Sequence, residues 1–139
     1  MTRTTDPTTT ADRAAVRLGR AARGRTGHLA GLSAEARVAQ HYVERGCTVA
    51  DRRWRGAGGE IDLVVSDGPV TVFVEVKKGR SFAGAAERLG RRQMDRLCAA
   101  AEEYLGGLPG GLLTEMRFDV ALMDAQGAVR VIENAFGAP

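Results

Sequence analysis

The run Gly59-Glu60-Ile61-Asp62-Leu63-Val64-Val65-Ser66-Asp67-Gly68-Pro69-Val70-Thr71-Val72-Phe73-Val74-Glu75-Val76-Lys77-Lys78 decides how the rest of this chain is read. Two valine-rich stretches flank Asp67-Gly68-Pro69, a turn signal, so the pattern predicts a β-hairpin with strands over Ile61–Val65 and Val70–Lys77. Side chains alternate faces along a strand. Glu75 and Lys77 therefore share one face, and Val72, Val74 and Val76 share the other, toward a core. Asp62 stands near the start of the first strand, thirteen residues before Glu75. Carboxylates and an ammonium on strands this apolar are costly to bury unless something compensates them.

Upstream, a helix is expected from Ser33, a suitable N-cap, to about Arg45, with Gly46 ending it. Ala36, Ala39 and Val43 form its apolar line with Val38 and Tyr42 alongside, and Glu35 projects along the half-buried side. Cys47–Trp54 reads as a strand, and Gly56, Gly58 and Gly59 as the turn that follows. Downstream, one helix is expected from about Ala85 to Leu105, ended by Gly106-Gly107 and Pro109. Met94, Leu97, Cys98, Ala101 and Leu105 fall on its apolar face; Arg88, Arg92 and Arg96 recur every fourth residue on another. Arg117–Met123 and Val129–Glu133 close the pattern as strands around the turn at residues 124–127. The order α-β-β-β-α-β-β predicts an α/β fold, a mixed central sheet flanked by helices.

At 139 residues the chain has length for one domain with a sizeable core. Its formal charge of +3 is unevenly spread. Residues 1–30 hold six arginines and two aspartates, leaving 14 basic and 15 acidic side chains for the remainder. The expected organisation is a basic, disordered tail over 1–30, with transient helix around Ala11–Ala22, and a folded body over 31–139. Net charge therefore does not by itself point the body toward nucleic acid. No apolar run reaches the length of a membrane span. Two cysteines, Cys47 and Cys98, are too few for a disulfide framework and read as small core residues, so a cytoplasmic protein with no membrane partner is expected.

An Asp on one strand of a hairpin and Glu-x-Lys on its partner can converge at one end of a sheet. Two carboxylates there suit a hard divalent cation such as Mg²⁺, which keeps water in its remaining positions. A lysine beside them can stabilise charge that develops on phosphorus oxygens. The same residues also read as a cross-strand ion pair on a solvated edge. The arginine row on the second helix reads either as a solvated face or as phosphate contacts.

Ala34-Glu35 with Ala39, Gly59-Glu60-Ile61-Asp62-Leu63, Phe73-Val74-Glu75-Val76-Lys77 and Arg117-Phe118-Asp119-Val120 together resemble the YraN-type family of small bacterial proteins. That family is similar in motif to Holliday-junction resolvases and the PD-(D/E)xK nuclease superfamily. The resemblance spans about residues 30–136 and implies a restriction-endonuclease-like α-β-β-β-α-β core. It implies Asp62 and Glu75 as ligands of Mg²⁺ or Mn²⁺, Lys77 as the catalytic lysine and Glu35 as an accessory acid, with Glu60 a weaker candidate. Lys78, Arg80, Arg88, Arg92, Gln93 and Arg96 follow as nucleic-acid contacts. The expected function is a metal-dependent endonuclease on structured or branched DNA. Two cuts are needed to resolve a branch, which a twofold homodimer would supply. The alternatives are a nucleic-acid-binding or adaptor module without turnover, and a structural domain whose acidic pocket holds a metal for stability.

Overall fold

Asp67 and Val70 face each other across Gly68-Pro69, and from that turn the hairpin runs back with Leu63 opposite Val74. The computed structural model describes residues 26–136, with side chains from residue 34. Its elements are α1 (Thr26–Glu44), β1 (Thr48–Arg55), β2 (Glu60–Asp67), β3 (Val70–Lys78), α2 (Phe82–Ala86), α3 (Arg91–Gly106), β4 (Met116–Met123) and β5 (Val129–Ile132), with a 3-10 turn over Gly111–Leu113. The sheet order is β1-β2-β3-β4-β5. β1 to β3 form an antiparallel meander, β4 joins β3 in parallel after the helical crossover, and β5 returns antiparallel. This is the α/β architecture expected, a mixed sheet with the restriction-endonuclease-like order of elements.

Both faces of the sheet are covered, which explains why the central strands read as nearly continuous apolar runs rather than alternating ones. α1 packs Val38, Ala39 and Tyr42 against Leu63, Val65, Val72, Val74 and Ala121. On the other face, Leu97, Ala100, Ala101 and Leu105 of α3 meet Ile61, Val64 and Phe73. α2 adds Ala85 over Val120 and Leu122. Glu75 and Lys77 follow Phe73 at even spacing, so they emerge on the α3 face.

Several expectations are corrected. Ser33 does not cap α1; the helix is already formed at Thr26, so the boundary drawn at residue 31 falls inside it. The remainder of the expected basic tail, with its transient helix, lies outside the described residues. At its other end α1 stops where expected, because Gly46 adopts φ 91°, a left-handed conformation that costs glycine little. The single helix expected over 85–105 is two helices, broken between Ala86 and Arg91. Gly90 has extended backbone angles at the N-cap of α3, and Ser81 caps α2 through its side chain. Arg88 lies in that break, so the three-arginine row does not exist as one helical face; Arg92 and Arg96 alone share α3. Cys98 is exposed rather than in the core, its place being taken by Ala100, while Cys47 is buried as expected.

Gly79 makes the crossover possible. A Cβ there would meet the Ala85 backbone nitrogen at 2.5 Å, so only glycine lets α2 sit this close behind the end of β3. Among the described residues no helix is long and apolar enough to cross a membrane.

Candidate functional site

The pairing of β2 with β3 ends at Leu63 and Val74, one residue short of Asp62. Beyond that point β2 stays on β1, with Ile61 opposite Trp54, and parts from β3. The Val76 N–H, turned toward β2, is taken instead by the Asp62 carboxylate, with Oδ2 at 2.9 Å. The parted strands thus bring Asp62 beside Glu75.

Glu75 is nearly buried, its side chain 8% exposed, and Lys77 is 15% exposed. Lys77 Nζ lies 3.2 Å from Glu75 Oε2. The same oxygen accepts a hydrogen bond from Gln93 Nε2 of α3 at 2.9 Å. Burial first and then the neighbouring Asp62 push the Glu75 carboxyl up to about 7 against the opposing pull of Lys77. Asp62 is raised too, chiefly by burial, against the pull of the Val76 N–H and Lys77. Two desolvated acids and one desolvated ammonium therefore converge.

Glu35 reaches the same region from α1. Its carboxyl is raised by burial and then by the charge of Asp62. Its Oε1 lies 3.9 Å from Arg53 Nε, and Glu60 Oε2 lies 3.9 Å from the same nitrogen. Among the described residues no three His, Cys, Asp or Glu side chains converge closely enough to cage a metal ion. The pair Asp62 and Glu75 nonetheless fits Mg²⁺ or Mn²⁺, since Mg²⁺ is commonly held by one or two carboxylates and retains several waters. A cation there would also relieve the repulsion between two acids that burial has driven toward protonation.

The sequence candidates divide accordingly. Glu75, Lys77 and Gln93 are in direct contact, Asp62 is their electrostatic neighbour, and Glu35 and Glu60 join through Arg53. Gln93 holds Glu75 in this structure. Lys78 ends β3, Arg80 follows in the loop, and both are exposed, as are Arg88, Arg92 and Arg96. Sequence reasoning passed over three features. Arg53 was hidden in the Arg52-Arg53-Trp54-Arg55 run, whose charge was visible and whose backbone was not. Glu103 clamps the β1–β2 turn by accepting hydrogen bonds from the Ala57 and Gly58 amides at 3.1 and 3.3 Å. Asp119 was noted only as part of a motif. It is fully buried, accepting from Tyr42 Oη at 2.7 Å, Arg117 Nε at 3.0 Å and the Asn134 N–H at 3.0 Å.

The Glu75 shift has a thermodynamic consequence. Its folded pKa of about 7 lies above the ordinary 4.5, so the folded state holds the proton more tightly than the unfolded chain. The associated stability is fully present below about pH 4.5 and is lost as pH rises through about 7. In metal-free buffer, urea melts should show a loss on the order of 2–3 kcal/mol across that window. Glu75→Gln should flatten most of the slope; an unchanged slope would mean Glu75 titrates normally.

The profile of the uncharacterised protein family UPF0102 matches residues 34–123. A UPF0102 protein of Cereibacter sphaeroides is 56% identical over 115 residues, covering 83% of this chain and 98% of the relative. One from Ruegeria pomeroyi is 56% identical over 117 residues, covering 84% and 95%. Another, from Roseobacter denitrificans, is 53% identical over 112 residues, covering 81% and 87%.

Proposed function

From the premise that this chain belongs to the UPF0102 family, the YraN-type family its motifs resemble, we propose that it is a metal-dependent endonuclease acting on structured or branched DNA. The carrying observation is the convergence of Asp62, Glu75 and Lys77, with Lys77 Nζ 3.2 Å from a nearly buried Glu75 carboxylate. Burying an ion pair and a second acid in this way costs stability that apolar side chains would not. Phosphodiester hydrolysis is the chemistry that uses the set.

Asp62 and Glu75 would hold Mg²⁺ or Mn²⁺. When bound, such an ion polarises a phosphate oxygen and lowers the pKa of a water. The protein's own groups do the rest. Gln93 and Lys77 fix the Glu75 carboxylate from two sides. The Val76 N–H fixes Asp62. Lys77, with little water around it, stabilises the negative charge that grows on the phosphate oxygens as water attacks phosphorus and the P–O bond breaks. Glu35 supplies a third carboxylate on the Asp62 side.

The two-carboxylate donor set also supports a second reading, a nucleic-acid-binding module of this fold without turnover. One experiment decides between them. Purified full chain is incubated with a labelled four-way DNA junction and a matched linear duplex, with Mg²⁺ or EDTA. Cleavage of the junction that needs Mg²⁺ is expected. Junction binding without cleavage under any divalent cation would install the binding module instead, and neither binding nor cleavage would end both readings.

A further inference from the structure

The side chain of Arg53 is 70% exposed, and among the described strand residues it is the non-glycine one with a positive φ. Its φ is 51°, in the left-handed region that side chains other than Gly, Asn and Asp rarely adopt. No register shift accompanies it, although the ladder skips the Arg53–Asp62 rung, and beyond it Ile61 and Trp54 pack on the α3 face where Leu63 packs under α1. Pairing with β2 keeps register on both sides, Arg52 with Leu63 and Trp54 with Ile61, and the register shift in β1 lies earlier, between Val49 and Asp51. The twist at one residue delivers the guanidinium to a particular place. Nε stands 3.9 Å from both Glu35 Oε1 and Glu60 Oε2, and the charge of Arg53 also bears on Asp62.

Two ordinary explanations fall short. β1 is an edge strand, and charged side chains keep an edge from pairing with another chain. That covers Arg52 and Arg55 equally well, but edge protection needs no left-handed backbone. Ion pairs this exposed and this long contribute little to stability, so Glu35 and Glu60 do not repay the strain either. Turning Trp54 and Ile61 toward α3 uses the twist but does not call for an arginine at it, and a non-glycine side chain held in such a conformation is a mark of functional sites.

We propose that Arg53 is the residue that receives the substrate phosphate at the mouth of the Asp62–Glu75–Lys77 site, exchanging Glu35 and Glu60 for the phosphodiester as it does so. The proposal rests on the nuclease reading above and adds the residue that captures the substrate. A phosphodiester approaching several carboxylates is repelled unless a cation meets it first. Lys77 lies within the site, 15% exposed and tied to Glu75. Arg53 stands outside, solvated and held only by weak pairs that can be exchanged. Its planar guanidinium matches two phosphate oxygens at once, which an ammonium does not.

The left-handed backbone supplies the test, because glycine adopts φ 51° freely. R53G removes the guanidinium and relieves the strain together, so its melting temperature should equal or exceed that of wild type. Binding of a fluorescein-labelled four-way DNA junction to the full chain is followed by anisotropy across a salt series, with Ca²⁺ in place of Mg²⁺. R53G should bind about tenfold more weakly, and the slope of log affinity against log salt should fall by about 1. R53Q, a shorter polar side chain without the charge, should behave alike; it decides the matter should R53G melt early. Wild-type binding and salt slope in both variants would overturn the role of Arg53 and leave the nuclease reading standing. Wild-type protein that binds neither junction nor duplex at any salt would overturn both.

Discussion

Lys77→Met is expected to slow DNA cleavage by about 100- to 1000-fold, the usual cost of removing one donor aimed at charge that develops in a transition state. Its melting temperature near neutral pH should stay close to that of wild type. Methionine fills much the same space as the lysine stem and adapts to irregular gaps. Removing one partner of a buried ion pair is ordinarily severe, about 3–5 kcal/mol, because the other charge is stranded. Here the stranded partner is Glu75, already pushed up to about 7 by burial, so it escapes by taking a proton. The cost then grows with pH by about 1.4 kcal/mol per unit above the carboxyl pKa. Lys77 also holds the Glu75 pKa down, so its loss should move the acidic limb of the pH–rate profile upward. Single-turnover cleavage across pH, paired with thermal melts, measures both. A cleavage rate close to that of wild type would remove Lys77 from the chemistry.

The largest effect on stability is expected at Asp119, on the opposite face of the sheet. Asp119→Ala should cost about 3–5 kcal/mol, since it strands a partly buried guanidinium and two further donors. Tyr42 Oη, Arg117 Nε and the Asn134 N–H all converge on this carboxylate, which has no exposed surface. Arg117 keeps Asp67 Oδ2 at 3.2 Å, so its charge is not wholly uncompensated. The loss is still a large part of the roughly 5–15 kcal/mol that holds a domain together. Asp119→Asn, which preserves shape and an acceptor oxygen, should fall well short of that. Urea denaturation of the two variants reads the difference; equal effects would mean that the charge, lost in both, and not shape or the remaining acceptor oxygen, sets the cost at this position.

The hairpin, the shared face of Glu75 and Lys77 and the order of strands were legible because they follow from period-two alternation and turn residues. The break at Leu89-Gly90 was not. Arg88, Arg92 and Arg96 carry helical spacing across it, and a glycine within such a pattern lowers helix stability without announcing where the chain will turn. Cys98 was placed in the core from the apolar pattern of its helix, yet Ala100 occupies the buried position because α3 packs closely through small residues. The left-handed twist at Arg53 had no sequence sign at all, since arginine is not a residue that asks for φ 51°. Asp119 entered the sequence reading only within the Arg117–Val120 motif. Its donors come from α1, from its own strand and from the segment after β5, so only the fold assembles them.

The parting of β2 from β3 also determines what mutation can remove from this protein without harm. Asp62 replaces a missing rung of the ladder by accepting the Val76 N–H, so a copy that had lost all catalysis would still be selected to keep an acceptor there. The side chains of Glu75 and Lys77, by contrast, complete no rung of the ladder, and burying them costs stability that apolar side chains would not. Disuse would therefore erase the Glu75–Lys77 pair first and leave Asp62 behind as a relic of architecture. On the nuclease reading, an aspartate at position 62 would then testify to the fold, and the pair two strand positions apart to retained catalysis.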